Sequence, residues 1–281
     1  MHSDIVLRET LPDAQVHPGK HQNRIHRVPQ SALPQEAGGS YRQDLTDTVK
    51  EETEMKLLID DANVNEIRRL CDLFPIDGVT TNPSILARAG GNPVEVLREI
   101  RQIIGEDKLI FAQAIPLDAE GMILDARAIV KLLGKNTIVK VPSVPEGFKA
   151  IRVLKEEGIH TCGTVVYTPM QAYLAARAGA DYVAPYVNRI DNMGYDGVAV
   201  VQQIQDILTL HQLDTQVLAA SFKNSQQVLA LCAYGIGSAT CAPSVIDGFV
   251  KNLAVDGAID DFVRDFAALA GKGKTMADLI C

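Results

Sequence analysis

Lys140 is the residue of this sequence whose position most directly suggests chemistry. It lies in the short apolar run TIVKVP at 137–142, which is typical of a strand inside an α/β fold. Lysine is rarely fully buried, because an isolated ammonium group in apolar surroundings is unfavourable. Such a lysine tends to lose its proton, and the neutral amine is a nucleophile that can form a Schiff base with a carbonyl. The alternative is a lysine at a strand end that extends its amine into water.

Other polar residues follow apolar runs in the same way. They are Asp60, Thr80, Asn82, Gln113, Thr164, Tyr186, Arg189, Ser221 and Lys223. Any one of them could be a strand-terminal cap or a loop hydrogen bond, but their repeated occurrence at run ends favours a shared site. His160 and His211 do not lie at such ends, so a cluster of metal ligands is missing. A lysine, a carboxylate and several hydroxyl and amide groups suit Schiff-base chemistry that needs no metal or other cofactor.

The elements that would position these residues begin at residue 55, where short apolar runs start to alternate with amphipathic stretches. Strands are predicted at 56–60, 78–81, 109–115, 137–142, 161–166, 181–186, 216–221 and 238–242. Helices are predicted at 64–73, 93–104, 121–133, 147–157, 169–178, 197–211, 225–234 and 243–252, with further helical segments at 258–270 and 274–280. Strands that are each followed by a helix predict an α/β protein, a (β/α)8 TIM barrel with an additional C-terminal helix. A doubly wound open sheet is the alternative, although no GxGxxG follows the first strand to suggest a dinucleotide.

Strand periodicity then predicts which of these side chains point into the barrel. Successive side chains alternate between faces, so Ile138 and Lys140 share one face and the flanking valines share the other. If the valines face the helices, Lys140 points inward. The same alternation pairs Phe111 with Gln113, Cys162 with Thr164, and Ala219 with Ser221. Because barrel active sites lie at the C-terminal ends of the strands, these residues are expected to converge there.

Bulk composition excludes several classes of protein. A net charge of -8 argues against generic binding to nucleic acid or to anionic membranes, and no apolar run is long enough to span a bilayer. The N-terminus lacks the apolar stretch of a secretory signal. The 5 cysteines are widely spaced and form no CxxC, which indicates a reduced, cytoplasmic chain.

The first 54 residues differ from the rest of the chain. They contain four of the histidines, many polar residues and no apolar periodicity. We predict a disordered extension at 1–54, or a start site assigned too far upstream, followed by a catalytic barrel domain at 55–281. The irregular spacing of the histidines gives little support to a metal-binding arm.

Four motifs in their order along the chain resemble the transaldolase family, and most closely its short fructose-6-phosphate aldolase branch. They are GVTTNPS at 78–84, IVKVP at 138–142, APYVNRID at 184–191 and AASFK at 219–223. The resemblance implies that Lys140 forms the Schiff base and that Asp60 carries protons beside the substrate hydroxyls. It further implies that Thr80 and Asn82 contact the substrate. By the same resemblance Arg189 and Ser221 hold its phosphate, assisted by Lys223.

Two positions distinguish the branches of this family. By the same resemblance, true transaldolases carry Glu at the position of Gln113 and Phe at the position of Tyr186. In this sequence both residues agree with the aldolase type. Gln113, Thr164 and Tyr186 are then expected to hold a catalytic water. Asp61 departs from the family pattern, and strand alternation places it on the face away from Asp60.

The resemblance implies a class I aldolase that interconverts a ketose phosphate, such as fructose 6-phosphate, with dihydroxyacetone and an aldose phosphate, such as glyceraldehyde 3-phosphate. A transaldolase that passes the dihydroxyacetone unit to an acceptor aldose is the first alternative. A barrel that binds sugar phosphates without catalysis, or serves only a structural role, is the second. A homo-oligomer is expected from the terminal helices, and the resemblance implies a pentamer or a decamer.

Overall fold

The computed structural model describes residues 54–280. The predicted N-terminal extension therefore lies outside the described residues, apart from its last residue. Among residues 54–280, no helix is both long and apolar enough to cross a bilayer.

The strands form a closed parallel barrel in sequence order. They are β1 (Lys56–Asp60), β2 (Gly78–Thr80), β3 (Leu109–Gln113), β4 (Thr137–Pro142), β5 (Thr161–Val166), β6 (Tyr182–Pro185), β7 (Gln216–Ala219) and β8 (Ser238–Cys241). Because β1 pairs with both β2 and β8, the sheet closes on itself and has no free edge. The predicted TIM barrel is confirmed, and the open doubly wound sheet is wrong.

Helices connect the strands on the outside of the barrel. They are α1 (Val64–Leu73), α2 (Pro83–Ala89), α3 (Pro93–Ile104), α4 (Ala119–Leu133), α5 (Pro145–Glu156), α6 (Pro169–Arg177), α7 (Val187–Asp191), α8 (Gly197–Leu210), α9 (Ser225–Tyr234), α10 (Pro243–Asp247), α11 (Leu253–Ala270) and α12 (Ala277–Ile280). The short helices α2 and α7 were not predicted, because each follows a polar strand end and is too short to show helical periodicity. Conversely, α10 is shorter than the predicted 243–252, and α11 begins before residue 258.

Local sequence explains where several helices start. The side chain of Asn63 accepts hydrogen bonds from two backbone N–H groups at the beginning of α1, and Thr168 forms a capping box with Gln171 at the beginning of α6. At α2, α3, α5, α6 and α10 a proline stands in the first turn, where its missing N–H costs no helical hydrogen bond.

The apolar residues divide into two groups on either side of the sheet. The larger core packs the outward face of the strands, including Ile59, Val139 and Val141, against the helices. The smaller cluster fills the barrel interior with Leu58, Phe111, Ile138, Cys162, Tyr182, Ala184 and Leu218. The valines beside Lys140 therefore face the helices, as the alternation predicted.

Two strands, β3 and β7, end two residues earlier than the sequence predicted, and at β7 this matters for the site. β7 ends at Ala219, and Ser221 has a positive φ of 61°. Ala219 belongs to the outer core, but the left-handed turn at Ser221 ends the alternation. The expected alternation between Ala219 and Ser221 therefore does not extend past the end of β7. Likewise β3 ends at Gln113 rather than at residue 115.

Candidate active site

Lys140 lies inside the barrel near the C-terminal end of β4 and is only 2% exposed. Its Nζ donates a hydrogen bond of 3.1 Å to the carbonyl oxygen of Thr81, at the end of β2. Gln113 on β3 is its neighbour in the strand register. A buried amine with one fixed hydrogen bond is held in a single position, as a nucleophile requires.

An apolar floor lies directly under the polar residues. Four of the polar residues have a residue of the interior cluster two positions before them on the same strand. The pairs are Leu58 with Asp60, Phe111 with Gln113, Ile138 with Lys140 and Cys162 with Thr164. The rings of Phe111 and Tyr182 meet edge to face at 5.3 Å between centroids. Burial raises the pKa of the Cys162 thiol to about 12, even though the charge of Lys140 acts in the opposite direction. Cys162 is therefore a protonated, inert side chain rather than a second nucleophile.

Asp60 lies at the end of β1 and is the carboxylate that faces Lys140. Its Oδ1 accepts a hydrogen bond of 2.7 Å from the Thr80 hydroxyl on β2. Burial raises the pKa of this carboxyl above its ordinary value, while the charge of Lys140 and the Thr80 hydrogen bond oppose that rise. A carboxyl with a raised pKa that also feels the charge of an amine is suited to accept and return protons.

Asp61 does not join the site through its side chain. Its Oδ1 accepts hydrogen bonds from the backbone N–H groups of Ala62 and Asn63, at 2.7 and 3.2 Å. The charge of Asp61 nevertheless adds to the upward shift of the Asp60 pKa. Asp61 thus acts on the site electrostatically, although its side chain is directed away from it.

Thr164 and Tyr186 come together across β5 and β6. The Thr164 hydroxyl and the Tyr186 hydroxyl lie 2.9 Å apart, and both residues are buried. A β-bulge between Gly163 and Val166, where Val165 has a positive φ of 60°, lies beside Thr164. Bulges of this kind commonly re-aim side chains next to active sites. Within residues 54–280 no direct hydrogen bond joins Gln113 to this pair. Of the three residues predicted to hold a catalytic water, only Thr164 and Tyr186 therefore contact each other.

Arg189 lies on α7, immediately after the strand end that carries Tyr186. Its guanidinium carbon stands 4.6 Å from the centre of the Tyr186 ring, and Nη1 donates to the Tyr167 hydroxyl at 3.5 Å. The Tyr167 hydrogen bond is the main cause of a raised Arg189 pKa, to which Asp60 also contributes. A cation that is supported by two aromatic rings and remains exposed can receive an anionic group.

The remaining predicted residues surround the mouth of the barrel. Asn82 caps α2, because its Oδ1 accepts from the backbone N–H of Ile85 at 3.0 Å, which leaves its amide N–H groups free to donate. The Ser221 carbonyl accepts from the backbone N–H of Asn188 at 2.9 Å, which brings the Ser221 backbone to the residue that precedes Arg189. Lys223 is exposed, and the described contacts of this residue involve its backbone N–H and Gln227.

Sequence reasoning missed three residues at this site. Thr81 supplies the carbonyl that holds Lys140, and Tyr167 supports Arg189. Thr240 on β8 lies 2.7 Å from Thr80 between hydroxyl oxygens. The strand alternation that located Lys140 would also have found Thr240, since it is the inward polar residue near the end of β8.

The fold and the buried lysine at the strand ends define a barrel enzyme of the aldolase type. The family model described as Transaldolase/Fructose-6-phosphate aldolase matches residues 57–278, and the chain belongs to this family. It is thus an enzyme with aldolase- or transaldolase-type activity.

Solved structures show a similar fold at low sequence identity. A structure titled "Native KDPGal structure" is 16% identical, with a TM-score of 0.47, over 67% of this chain and 82% of that chain. A variant of flavocytochrome b2 with sulfite bound is 14% identical, with a TM-score of 0.50, over 68% of this chain and 57% of that one. The chain spans little more than half of the flavocytochrome chain.

Proposed function

We propose that the protein is a class I aldolase of the fructose-6-phosphate aldolase type. The observation that carries this proposal is the buried Lys140 amine, which is held by the Thr81 carbonyl and whose charge acts on the Asp60 carboxyl. The substrate is a ketose phosphate such as fructose 6-phosphate. The products are dihydroxyacetone and an aldose phosphate such as glyceraldehyde 3-phosphate.

The first stage makes the covalent intermediate. The neutral Lys140 amine attacks the C2 carbonyl of the ketose. The resulting carbinolamine takes up a proton from an acid group or water of the site and loses water to give a protonated Schiff base. The positive nitrogen then withdraws electrons from the C3–C4 bond. The apolar floor under Lys140 keeps bulk water away from this cation, which strengthens its interaction with the groups around it.

The second stage breaks the carbon–carbon bond. Asp60, or a water held near Thr164 and Tyr186, takes the proton from the C4 hydroxyl. The C3–C4 bond breaks, the aldose phosphate leaves, and its electrons form an enamine on the three carbons that remain. Protonation of the enamine and hydrolysis of the imine release dihydroxyacetone and restore Lys140. Positioned acid–base groups of this kind typically contribute about two to four powers of ten in rate.

Arg189 is suited to the phosphate of the substrate. It is an exposed cation at the mouth, and its orientation is supported by Tyr186 and Tyr167. Ser221 lies on the adjoining loop, and Lys223 follows it by two residues. Asn82 presents its amide N–H groups to the substrate hydroxyls.

A transaldolase would keep the three-carbon enamine for a second aldose. Gln113 and Tyr186 favour the aldolase, because the tyrosine hydroxyl, paired with Thr164 at 2.9 Å, can help move the proton that releases dihydroxyacetone. A barrel that binds sugar phosphates without catalysis would form no covalent adduct at all.

Trapping the intermediate tests the proposal. The protein is incubated with dihydroxyacetone or fructose 6-phosphate, reduced with borohydride, digested and analysed by mass spectrometry. The adduct is expected on Lys140 and should disappear in Lys140→Met. Lys155→Met is the matched control, because the Lys155 amine pairs with Asp181 away from the proposed site. An unmodified Lys140 would overturn the mechanism, whereas turnover that appears only when an acceptor aldose is added would identify a transaldolase.

We also propose that the protein is a homo-oligomer, in which α11 packs against a second copy. None of the residues of α11 is buried, and Phe262 is 71% exposed beside Val263 and Ile259 on the same face. The double variant Phe262→Ser, Val263→Ser should give a smaller species in light scattering. Leu124→Ser, which changes another exposed apolar residue, should not. An unchanged mass in the double variant would contradict this interface.

A further inference from the structure

A chain of hydrogen bonds connects β8 to the proposed proton carrier through two buried threonines. Thr240 is 1% exposed, and its outward neighbours Ala239 and Cys241 belong to the outer core, so its side chain lies inside the barrel. Its Oγ1 is 2.7 Å from Thr80 Oγ1, and Thr80 Oγ1 is 2.7 Å from Asp60 Oδ1.

The number of hydroxyl protons sets the direction of this chain. Each threonine hydroxyl has a single proton, and an ionised carboxylate can only accept. When Asp60 is ionised, the Thr80 proton is therefore directed at Asp60. The proton between the two threonines must then belong to Thr240.

A protonated Asp60 fits this arrangement less well. If its proton lay on Oδ1, Asp60 would donate to Thr80 and Thr80 would donate to Thr240. The Thr240 proton would then need another acceptor in a place that is almost closed to water. Because buried hydroxyl groups without a partner are unfavourable, a proton on Oδ1 is disfavoured. A proton on Oδ2 would leave the hydrogen bonds in place but weaken them, since a hydroxyl donates more strongly to an ionised carboxylate. The arrangement therefore favours the ionised carboxylate.

Other charged and titratable groups also act on Asp60, but they do not take over the role of the hydrogen bonds from Thr240 and Thr80. They are Lys140 on β4, Arg88 on α2, Arg189 on α7, Asp61 next in sequence, and the Cys241 thiol on β8. Arg88 and Arg189 are exposed to water, which weakens their effect, and Asp61 acts in the opposite direction. Lys140 must be neutral when it attacks a carbonyl, so its charge is absent at that step.

We propose that Thr240 is a positioning residue. Its hydroxyl donates to the Thr80 hydroxyl, so that the Thr80 proton is directed at Asp60. This arrangement stabilises Asp60 as the ionised carboxylate, which can accept a proton. The catalytic meaning of this assignment rests on the proposed aldolase function. The hydrogen-bond chain itself can be measured without any activity.

Direct titration of Asp60 tests the assignment. The carboxyl carbon of Asp60 is followed by NMR against pH in the wild type and in Thr240→Val and Thr240→Ser, with Asp60→Asn to identify the signal. Valine has the shape of threonine without the hydroxyl, and serine keeps the hydroxyl without the methyl group. The titration midpoint should rise by about half a pH unit in Thr240→Val and stay at the wild-type value in Thr240→Ser. The acid limb of the kcat/KM profile should move in the same direction.

Each outcome decides the proposal. An unchanged midpoint in Thr240→Val overturns it, and so does an equal rise in Thr240→Ser, because the effect would then come from shape rather than from the hydroxyl. If Thr240→Val does not fold, Thr240→Ala removes the same hydroxyl with less crowding and is judged by the same midpoint. If the wild type gives neither turnover nor an adduct on Lys140, the proposed function fails, while the NMR midpoint still decides the role of Thr240.

Discussion

The Nζ atom of Lys140 and the carbonyl oxygen of Thr81 lie 3.1 Å apart and join β4 to the end of β2 across the barrel interior. A neutral amine can donate one proton to this carbonyl and still present its lone pair elsewhere. The Thr81 carbonyl at the end of β2 thus fixes the position of the amine and leaves its lone pair available to attack a carbonyl. Thr81 is itself held to β3, where both its N–H and its hydroxyl donate to the Phe111 carbonyl at 2.9 Å.

Replacement of Lys140 should separate activity from stability. Lys140→Met keeps most of the volume of the side chain and removes a buried amine, so the fold should remain intact. The loss of the nucleophile should lower kcat/KM by at least about a thousandfold. Steady-state kinetics and thermal unfolding measure the two effects, with Lys155→Met as the control. Activity that survives in Lys140→Met would exclude a Schiff base at this position.

Replacement of Asp60 should change how stability depends on pH. Burial raises the Asp60 pKa above its ordinary value of 3.8, so the neutral form of this carboxyl is more favoured in the folded state than in the unfolded state. Its stabilising contribution is complete below that value and is lost as pH rises through the raised pKa. Asp60→Asn stays neutral, so its Tm should exceed that of the wild type by a few degrees at neutral pH, with a difference that narrows as pH falls.

Thermal unfolding over a range of pH measures that difference. Asp72→Asn, on the exposed face of α1, is the control and should give a Tm difference that changes little with pH. A difference for Asp60→Asn that does not vary with pH would contradict the shift. Activity of Asp60→Asn should fall by about two to four powers of ten.

The pair Gln113 and Tyr186 should determine the fate of the three-carbon enamine. The double variant Gln113→Glu, Tyr186→Phe removes the hydroxyl that lies 2.9 Å from Thr164 and adds an acid beside Lys140 in the strand register. We expect release of dihydroxyacetone to fall and transfer to an acceptor aldose to rise. The ratio of the two products, measured with and without erythrose 4-phosphate, tests this. An unchanged ratio would count against the assignment to the aldolase branch.

Arg189 should affect phosphorylated substrates selectively. Lysine cannot reproduce the planar stacking on Tyr186 or a two-point contact with phosphate. Arg189→Lys should therefore raise KM for a phosphorylated aldehyde by about 10- to 100-fold. The KM for dihydroxyacetone should change little.

Arg177 provides a matched control for this measurement. Its guanidinium carbon lies 5.9 Å from the Tyr173 ring centre, and Nη1 donates to the Tyr173 hydroxyl at 3.1 Å, on α6. Arg177→Lys removes a similar arginine–tyrosine contact without approaching the site. Equal effects of the two variants on KM would show that Arg189 acts on the fold rather than on the phosphate.

Gly147 should be essential for the end of β4. A Cβ at this position would lie 1.8 Å from the Pro142 carbonyl oxygen, which is backbone and cannot move without shifting the strand that carries Lys140. Gly147→Ala should lower the free energy of unfolding by about 2–3 kcal/mol. Gly257→Ala is the control, because a Cβ there meets no atom within 4 Å and the position lies in α11. It should stabilise the protein by about 0.5–1 kcal/mol, as measured by denaturant unfolding.

Much of the architecture could be read from local patterns. β1, β4 and β5 begin and end where the sequence predicted, since short, nearly continuous apolar runs are typical of strands covered on both faces. The predicted order of strands and helices favoured the barrel over a doubly wound open sheet, and strand alternation favoured an inward Lys140, but closure of the sheet came from the structure. The short helices α2 and α7 escaped prediction, because one or two turns show too little periodicity.

The sequence by itself determined the barrel and the set of polar residues at its mouth, because alternation and strand order are local properties of the chain. The tertiary structure alone decided which of these residues touch. The Thr80–Thr240 contact joins residues 160 positions apart, and it exists only because β8 closes on β1. The approach of Thr164 to Tyr186 and the left-handed turn at Ser221 depend on a bulge and a strand end that have no periodic signal. Hydrogen bonds between strands require a register accurate to one residue, and only the packed barrel provides it.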